Sequence, residues 1–309
     1  MKTATAKKDE APVLALTKAD PKSPVLIVTG PANISIKGGA TIDLDGVEYN
    51  FAEQTEITLP QLVVGGDYGI AIDDTGALVA RHLTDAGGLD GCFAGFHYGP
   101  GALATARQGG GDTPTILEVS LWDLRFRPAC PDPRGMALVA NSPGAPDVKP
   151  FWLDLYLTAQ DHLGGTSRFG AVIADGRNWP QKLEGGGRFG DCNYHTANAI
   201  LAHHGKAVPS LMEFFAGAYG VTEKSASGER REATGLDALR TSRFVYMATG
   251  QRWIWGHDGD PDTPRASIFG GSYWVDGNAG SRYAYVDDWP ELSSEGYGCR
   301  GRSDHLELA

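Results

Sequence analysis

A chain of 309 residues, with 27 Lys and Arg against 38 Asp and Glu, carries a net charge of −11 and is long enough for roughly two domains, each with its own core. The acidic balance, with a pI near 5.1, excludes nucleic acid as a partner, because a phosphate backbone calls for a basic stripe. No apolar run approaches the ~18 residues of a membrane-spanning helix, so membrane insertion is excluded too.

Residues 1–23 mix Lys with Asp and Glu and lack the apolar segment of a signal peptide. They are expected to form a flexible N-terminal tail on a chain made in the cytoplasm. From Pro24 the pattern turns to strands. Val25 to Val28 is an apolar run, Ile34 to Ile36 and Thr41 to Leu44 alternate, and Asp45-Gly46 marks a hairpin before Val47 to Tyr49. Glu56 to Leu59 and Asp67 to Ile72 follow, with Asp74-Thr75-Gly76 as the next turn, and Ile116 to Val119 and Leu121 to Leu124 close the unit. Strands at this spacing predict an antiparallel β-sandwich over residues 24–135, with no long helix before Pro128. His97 beside Tyr98 offers catalytic residue types, but a His in a Gly-flanked aromatic strand is expected to be packed and hydrogen-bonded. Asp73-Asp74 reads as turn chemistry.

Four cysteines, Cys92, Cys130, Cys192 and Cys299, lie far apart without a CxxC pair. That spacing argues against a zinc site and against a disulfide framework; buried free thiols are expected.

Residues 136–309 change character to α+β. Phe151 to Leu157 and Phe169 to Gly176 predict two strands. Asp191 to His204, apolar at Ala197, Ile200 and Leu201 and stopped by Gly205, predicts a helix. Ser210 with Glu213 three residues on predicts a capping box for a second helix, whose apolar side is Met212, Phe214, Phe215, Ala218 and Tyr219. Neighbouring residues on a helix point ~100° apart, so His203-His204 is a poor ligand pair. Asp258, Asp260 and Asp262 are the best candidates for a structural Ca²⁺ or Mg²⁺ ion but lack EF-hand spacing. A solvated acidic loop is expected there, and no cofactor is required.

The last stretch, residues 269–306, reads FGGSYWVDGNAGSRYAYVDDWPELSSEGYGCRGRSDHL. Scaffold-like residues (Phe269-Gly270-Gly271, Gly280-Ser281-Arg282, Pro290, Gly298, Arg300-Gly301, Asp304-His305-Leu306) alternate with Ser, Asn, Asp, Tyr and Trp, the composition of binding loops. This spacing resembles the variable region of the phage major tropism determinant family, receptor-binding proteins diversified by a diversity-generating retroelement. The likeness extends upstream through Ile34 to Lys37, Gly95 to Tyr98, Ser120 to Asp123, Phe126 to Pro128, Asp132 to Met136, Ala202 to Lys206, Leu211 to Phe214 and Trp253 to Gly256. It covers about Val25 to Leu308.

The resemblance implies a β-sandwich followed by a C-type lectin domain over 136–309, in the version shared with formylglycine-generating enzymes, with its variable region at 268–306. Carried over, the family's variable, ligand-binding positions are Ser272, Trp274, Val275, Asp276, Asn278, Tyr285, Asp287, Asp288, Leu292, Ser294, Gly296 and Tyr297. Eleven of the twelve are residues that an AAC template codon can become; Trp274 is the exception. The implied function is receptor binding at a phage or prophage tail-fibre tip. The implied partners are a host cell-surface receptor, expected to be a protein, and a tail-fibre or other virion component. A homotrimer is implied as well, although the family's N-terminal β-prism has no counterpart in residues 1–23. The alternatives are a displayed variable protein on a bacterial surface, or a formylglycine-generating-type enzyme. That enzyme class uses two reactive cysteines near the end of the fold, where this chain offers Cys299 beside Arg300 and Arg302, with no evident role for Cys192. The calcium-site motifs of sugar-binding lectins (Glu-Pro-Asn, Gln-Pro-Asp, Trp-Asn-Asp) do not occur. A binder rather than an enzyme is therefore expected.

Overall fold

The computed structural model describes residues 13–84 and 88–306. Its N-terminal half is built from three antiparallel sheets. Leu14–Thr17, Ala40–Leu44 and Val47–Phe51 form the first, and the last two strands are joined by Asp45 and Gly46. Both turn residues have positive φ (53° and 85°), the geometry that favours Asp-Gly in a tight hairpin. Leu26–Gly30, Asn33–Ile36 and Thr55–Glu56 form the second sheet. Thr115–Ile116, Ala94–Gly99, Gly66–Ile72 and Leu78–His82 form the third, with Trp122–Asp123 also paired to Ala94–Gly99. Alternation explains the packing: Leu16, Leu26, Ile34, Ile36 and Ile42 share one core with Tyr68, Ile70, Leu78 and Phe96 of the third sheet. This is a β-sandwich.

Three expectations are corrected here. Residues 13–23 are not a free tail, because Leu14–Thr17 pairs with Ala40–Leu44 and Leu16 is buried in the sandwich core. Lys18 Nζ and Val25 N–H both donate to the buried carboxylate of Asp123 at 2.7 Å, which holds the segment down. Residues 1–12 lie outside the described part. The run from Glu56 to Leu59 is a crossover between sheets: Thr55–Glu56 pairs with Asn33–Ile36, and Thr58 bridges Val79 in parallel. Ile116 to Val119 is interrupted by a 3₁₀ turn at Glu118–Ser120.

In the C-terminal half, Met136–Val139, Phe151–Asp154 and Arg302–Asp304 form a three-stranded sheet that brings the end of the domain beside its beginning. The strand expected over Phe151 to Leu157 stops at Asp154, whose buried carboxylate accepts from Lys206 Nζ (2.6 Å) and Gly301 N–H (3.1 Å). Phe169 to Gly176 is not a strand. It makes only single bridges, Val172 to Ala233 and Ile173 to Ala159, and Gly170 turns the chain at φ 73°. Helix α1 spans Tyr194–His203, capped by the Asn193 side chain on Thr196 N–H. Helix α2 spans Leu211–Gly217 with the capping box of Ser210 and Glu213. Met212 is exposed, so the buried side of α2 is Phe214, Ala216 and Gly217; a helix of two turns has room for only a narrow stripe.

The two halves are joined by polar ties as well as packing. His97 faces Asp67 (2.9 Å) and the Tyr156 hydroxyl (3.0 Å), while Asp67 accepts from Gly135 N–H and Tyr246 donates to the Gly101 carbonyl. That is the packed role expected of His97. The ring of His204 meets that of His203 edge-on, and its Nε2 lies 3.0 Å from Nδ1 of His162.

Burial first, then the neighbouring His162 and Lys206, push the His204 pKa down to about 4 from an ordinary value of 6.5. Between those values the unfolded chain binds a proton that the folded chain refuses, so stability present at neutral pH is lost as pH falls toward 4. The urea midpoint is expected to decline over this window, and the decline to be shallower in His204→Asn. An equal slope in the variant would remove His204 as its cause.

Candidate functional site

A second, four-stranded sheet carries the final stretch of sequence. Its order is Ala284–Tyr285, Ala266–Phe269, Trp253–His257, Tyr297–Gly298, antiparallel except for the last pair. The alternation in Trp253-Ile254-Trp255 decides which side chains face where. Ile254 and Phe269 enter the main core, where Phe269 stacks on Phe214 at 5.0 Å. Trp253, Trp255 and Ile268 occupy the other face with Ala197 and Leu201 of α1. Onto these two tryptophans fold the residues of the expected variable region: Tyr285 meets Trp253 at 5.4 Å between ring centroids, and Tyr297 meets Trp255 at 5.3 Å. Val275 packs into the same cluster.

The loops between these strands are held by main-chain atoms. Gly228, Ala226 and Ser225 N–H donate to the carbonyls of Tyr273, Asp276 and Ala279 at 3.0–3.2 Å. Asp288 N–H donates to Ala266, Gly176 N–H to Ser294, Trp253 N–H to Gly296 and Tyr194 N–H to Pro290. At Gly271, with φ 81°, a Cβ would come within 2.7 Å of the Asn278 carbonyl, so the turn requires glycine. Gly280-Ser281 is fixed by Glu223, which accepts from Ser281 N–H and from Arg107 of the N-terminal half. None of these bonds uses the side chain of an expected variable position.

The twelve positions do not all reach the surface. Trp274, Asp276, Asn278, Tyr285, Asp287 and Leu292 are exposed, and Val275, Asp288, Ser294 and Tyr297 are half-buried. Two expected ligand contacts are corrected. Ser272 is 0% exposed, its hydroxyl turned inward and lacking a hydrogen-bond partner among the described residues. Gly296 is covered by the Trp274 indole, so closely that a Cβ there would lie 1.9 Å from the ring. Asp276 has φ 49°, a conformation tolerated by Asp, Asn and Gly and strained for β-branched residues.

Two exposed residues escaped the sequence reading. Trp289 is 69% exposed and Val286 is 44% exposed, which adds two apolar side chains to the exposed Trp274, Tyr285 and Leu292. Their signal was a run, Tyr-Val-Asp-Asp-Trp-Pro, with apolar residues but no alternation to bury them. Asp276, Asp287, Asp288 and Glu291 make the surroundings acidic, and the exposed pair Arg265–Asp287 at 3.4 Å adds little to stability. Beneath the rim, Tyr273 donates to Glu295, which also meets Arg177 and Arg230.

The other candidates are placed as follows. Asp258 and Asp260 each turn a carboxylate oxygen onto backbone N–H groups, of Asp260 and Arg265 and of Asp262 and Thr263 respectively, which is turn chemistry. Cys192 and Cys299 are both fully buried, out of reach of a substrate.

Comparison with known proteins bears on this geometry. The family described as the Mtd second domain matches residues 24–123, within the sandwich. A tail fiber receptor-binding protein of Bordetella phage BPP-1 is 35% identical, covering 95% of this chain and 85% of that protein. Solved structures of the U1 and I1 variants of the major tropism determinant superpose with a TM-score of 0.85 each, at 35% and 36% identity, over 95% of this chain and 86% of theirs. The chain belongs to the major tropism determinant family. Its major tropism determinant fold accounts for the mostly β architecture, with two short α-helices among the described residues, and for a strand at Arg302–Asp304 that returns to the first sheet of the lectin domain.

The contact between Trp274 and Gly296 is testable. Gly296→Ala is expected to displace the indole, so its stability cost should shrink in a Trp274→Ala background, giving a coupling of ~0.5–3 kcal/mol in a double-mutant cycle. Additive effects would mean that the ring does not rest on residue 296.

Proposed function

We propose that this chain is the receptor-binding protein of a phage or prophage tail fibre, docking on a host surface protein through the side chains displayed by the four-stranded sheet and its loops. The observation that carries the reading is the division of labour in residues 272–297: main chain bonded to the scaffold, side chains of Trp274, Tyr285, Val286, Trp289 and Leu292 left in solvent. Rigid aromatics held this way lose little entropy on binding and act as anchors. Asp276, Asp287 and Asp288 favour a partner with basic groups and repel an acidic one. Three copies in a trimer, and several fibres on a particle, raise weak individual affinity by avidity of roughly 10²–10⁴-fold. The protein works in the virion, without a cofactor, and alteration of the exposed positions changes which host is bound.

Trp274→Ala and Tyr285→Ala are expected to abolish adsorption of the purified protein to host cells while the melting midpoint stays within a few degrees of wild type. Loss of folding in both would make these rings core and remove the patch. The DNA beside the gene is expected to hold a near-copy of the segment coding for 269–306, altered at adenines, next to a reverse transcriptase. Its absence would make the receptor-binding region a fixed one. Chelation with EDTA is expected to leave the melting midpoint unchanged; a large drop would reveal a structural ion.

A further inference from the structure

Trp179 lies outside the expected variable region, yet its indole is 44% exposed. Its setting is rigid. The indole N–H donates to the Gly176 carbonyl at 2.9 Å, and the Trp179 carbonyl accepts from Arg188 Nη1 at 3.0 Å. One carboxylate oxygen of the buried Asp175 accepts from the N–H groups of Arg177 and Asn178, which closes the turn. The same turn is pressed against the displayed loops. Gly176 N–H donates to the Ser294 carbonyl at 2.9 Å, and a Cβ on Gly176 would lie 2.4 Å from Ser294 N, so only glycine allows the approach. Two residues further on, the Trp274 indole covers Gly296. Between them Glu295 meets Arg177 at 3.4 Å and accepts from Tyr273, whose ring lies 4.5 Å from that of Trp274. Both exposed indoles are thus held against one stretch, residues 294–296: Trp274 directly, Trp179 through Gly176. Their charge surroundings differ. Trp274 belongs to the loops that carry Asp276, Asp287 and Asp288, whereas Trp179 has the exposed Arg177 and Arg188.

We propose that Trp179, Arg177 and Arg188 form a fixed part of the receptor-binding surface, taking an apolar side chain and an adjoining carboxylate of the host protein. The inference rests on the receptor-binding reading and adds a second, constant contact to it. A ring whose orientation is already set gives up little entropy on docking. The exposed contact of Arg177 with Glu295 is weak enough to leave its guanidinium available. Each arginine has five N–H donors, and a guanidinium grips a carboxylate through two parallel bonds. The partner therefore has two charge zones. Basic groups face Asp276, Asp287 and Asp288, and an acidic group faces Arg177 and Arg188. Residues 175–180 lie outside 268–306, so the foothold at Trp179 persists when the displayed positions change. It supplies a base affinity that the displayed side chains raise or lower, which keeps one class of host protein within reach while the rest of the surface is altered.

The test exposes the native full-length protein to hydroxyl radicals, free and adsorbed to cells of the host strain, and maps side-chain oxidation by peptide. Protection of Trp179 together with Trp274 on adsorption is expected, with the exposed Met212 as the measure of radical dose. Protection of Trp274 while Trp179 is still oxidised would overturn the proposal and leave the receptor-binding reading standing. Protection of neither would overturn both. Trp179→Ala is expected to weaken adsorption roughly tenfold or more, with the melting midpoint within a few degrees of wild type. Val47→Ala, at an exposed apolar position of the sandwich, is expected to leave adsorption unchanged. Arg177→Glu is expected to weaken adsorption as well; equal or tighter adsorption by that variant would overturn the acidic character of the partner. The radical map is read on the unmutated protein, so a variant that fails to fold does not blur the answer.

Discussion

The hydrogen bonds from Ser225, Ala226 and Gly228 N–H to the carbonyls of Ala279, Asp276 and Tyr273 fix the course of the displayed loop in the C-terminal domain. A loop whose backbone polar groups are satisfied by other backbone does not depend on its own side chains to stay folded. Asp288, Ser294 and Gly296 repeat the arrangement at three other places in the same stretch, with Ala266, Gly176 and Trp253 as partners. The scaffold therefore recognises the course of the chain more than what hangs from it, apart from Ser294 and Asp288, whose side chains accept from the N–H of Gly296 and Trp289.

Such a loop needs a rigid base, and much of that base is irregular chain braced by buried charge. Asp175 accepts from Arg252 and Arg230, Asp154 is paired with Lys206, and Arg300 donates to the carbonyls of Asp154, Tyr246 and Met247. Burial pushes the Arg300 pKa down to about 10, which still leaves it charged at neutral pH. Ion pairs of this kind add little net stability, yet removing one partner strands the other in a dry interior. They act here as brackets, locking segments that have no sheet partner into a single arrangement. Above them the Trp253–Trp255 floor converts two apolar residues of one strand into the support for Tyr285 and Tyr297.

Much of this was legible in the sequence, and the part that was not has physical reasons. Local chemistry was readable: the Asp45-Gly46 hairpin, the Ser210–Glu213 capping box and the apolar alternation of the sandwich strands all depend on residues close together in the chain. Leu14–Thr17 was missed because only its pairing with Ala40–Leu44 and the reach of Lys18 to Asp123 hold it in place. Phe169 to Gly176 alternates like a strand but ends half-exposed, with no partner long enough to form a ladder. In the candidate site, the family resemblance pointed to loops in which Trp274 and Tyr285 are exposed. It did not reveal that Ser272 points inward or that Trp289 points out, since both are set by tertiary contact alone.

The indole of Trp274 lying over Gly296 has a further consequence. Two positions that seem free to change independently share one volume: a bulky residue at either dictates what the other can be. Asp276, held at positive φ, restricts its own alphabet in a similar way. Any process that rewrites these codons one at a time therefore explores a repertoire smaller than the product of its choices. Its paths bend around combinations that would fold but could not pack, and two surfaces far apart in sequence space can be joined only through particular intermediates.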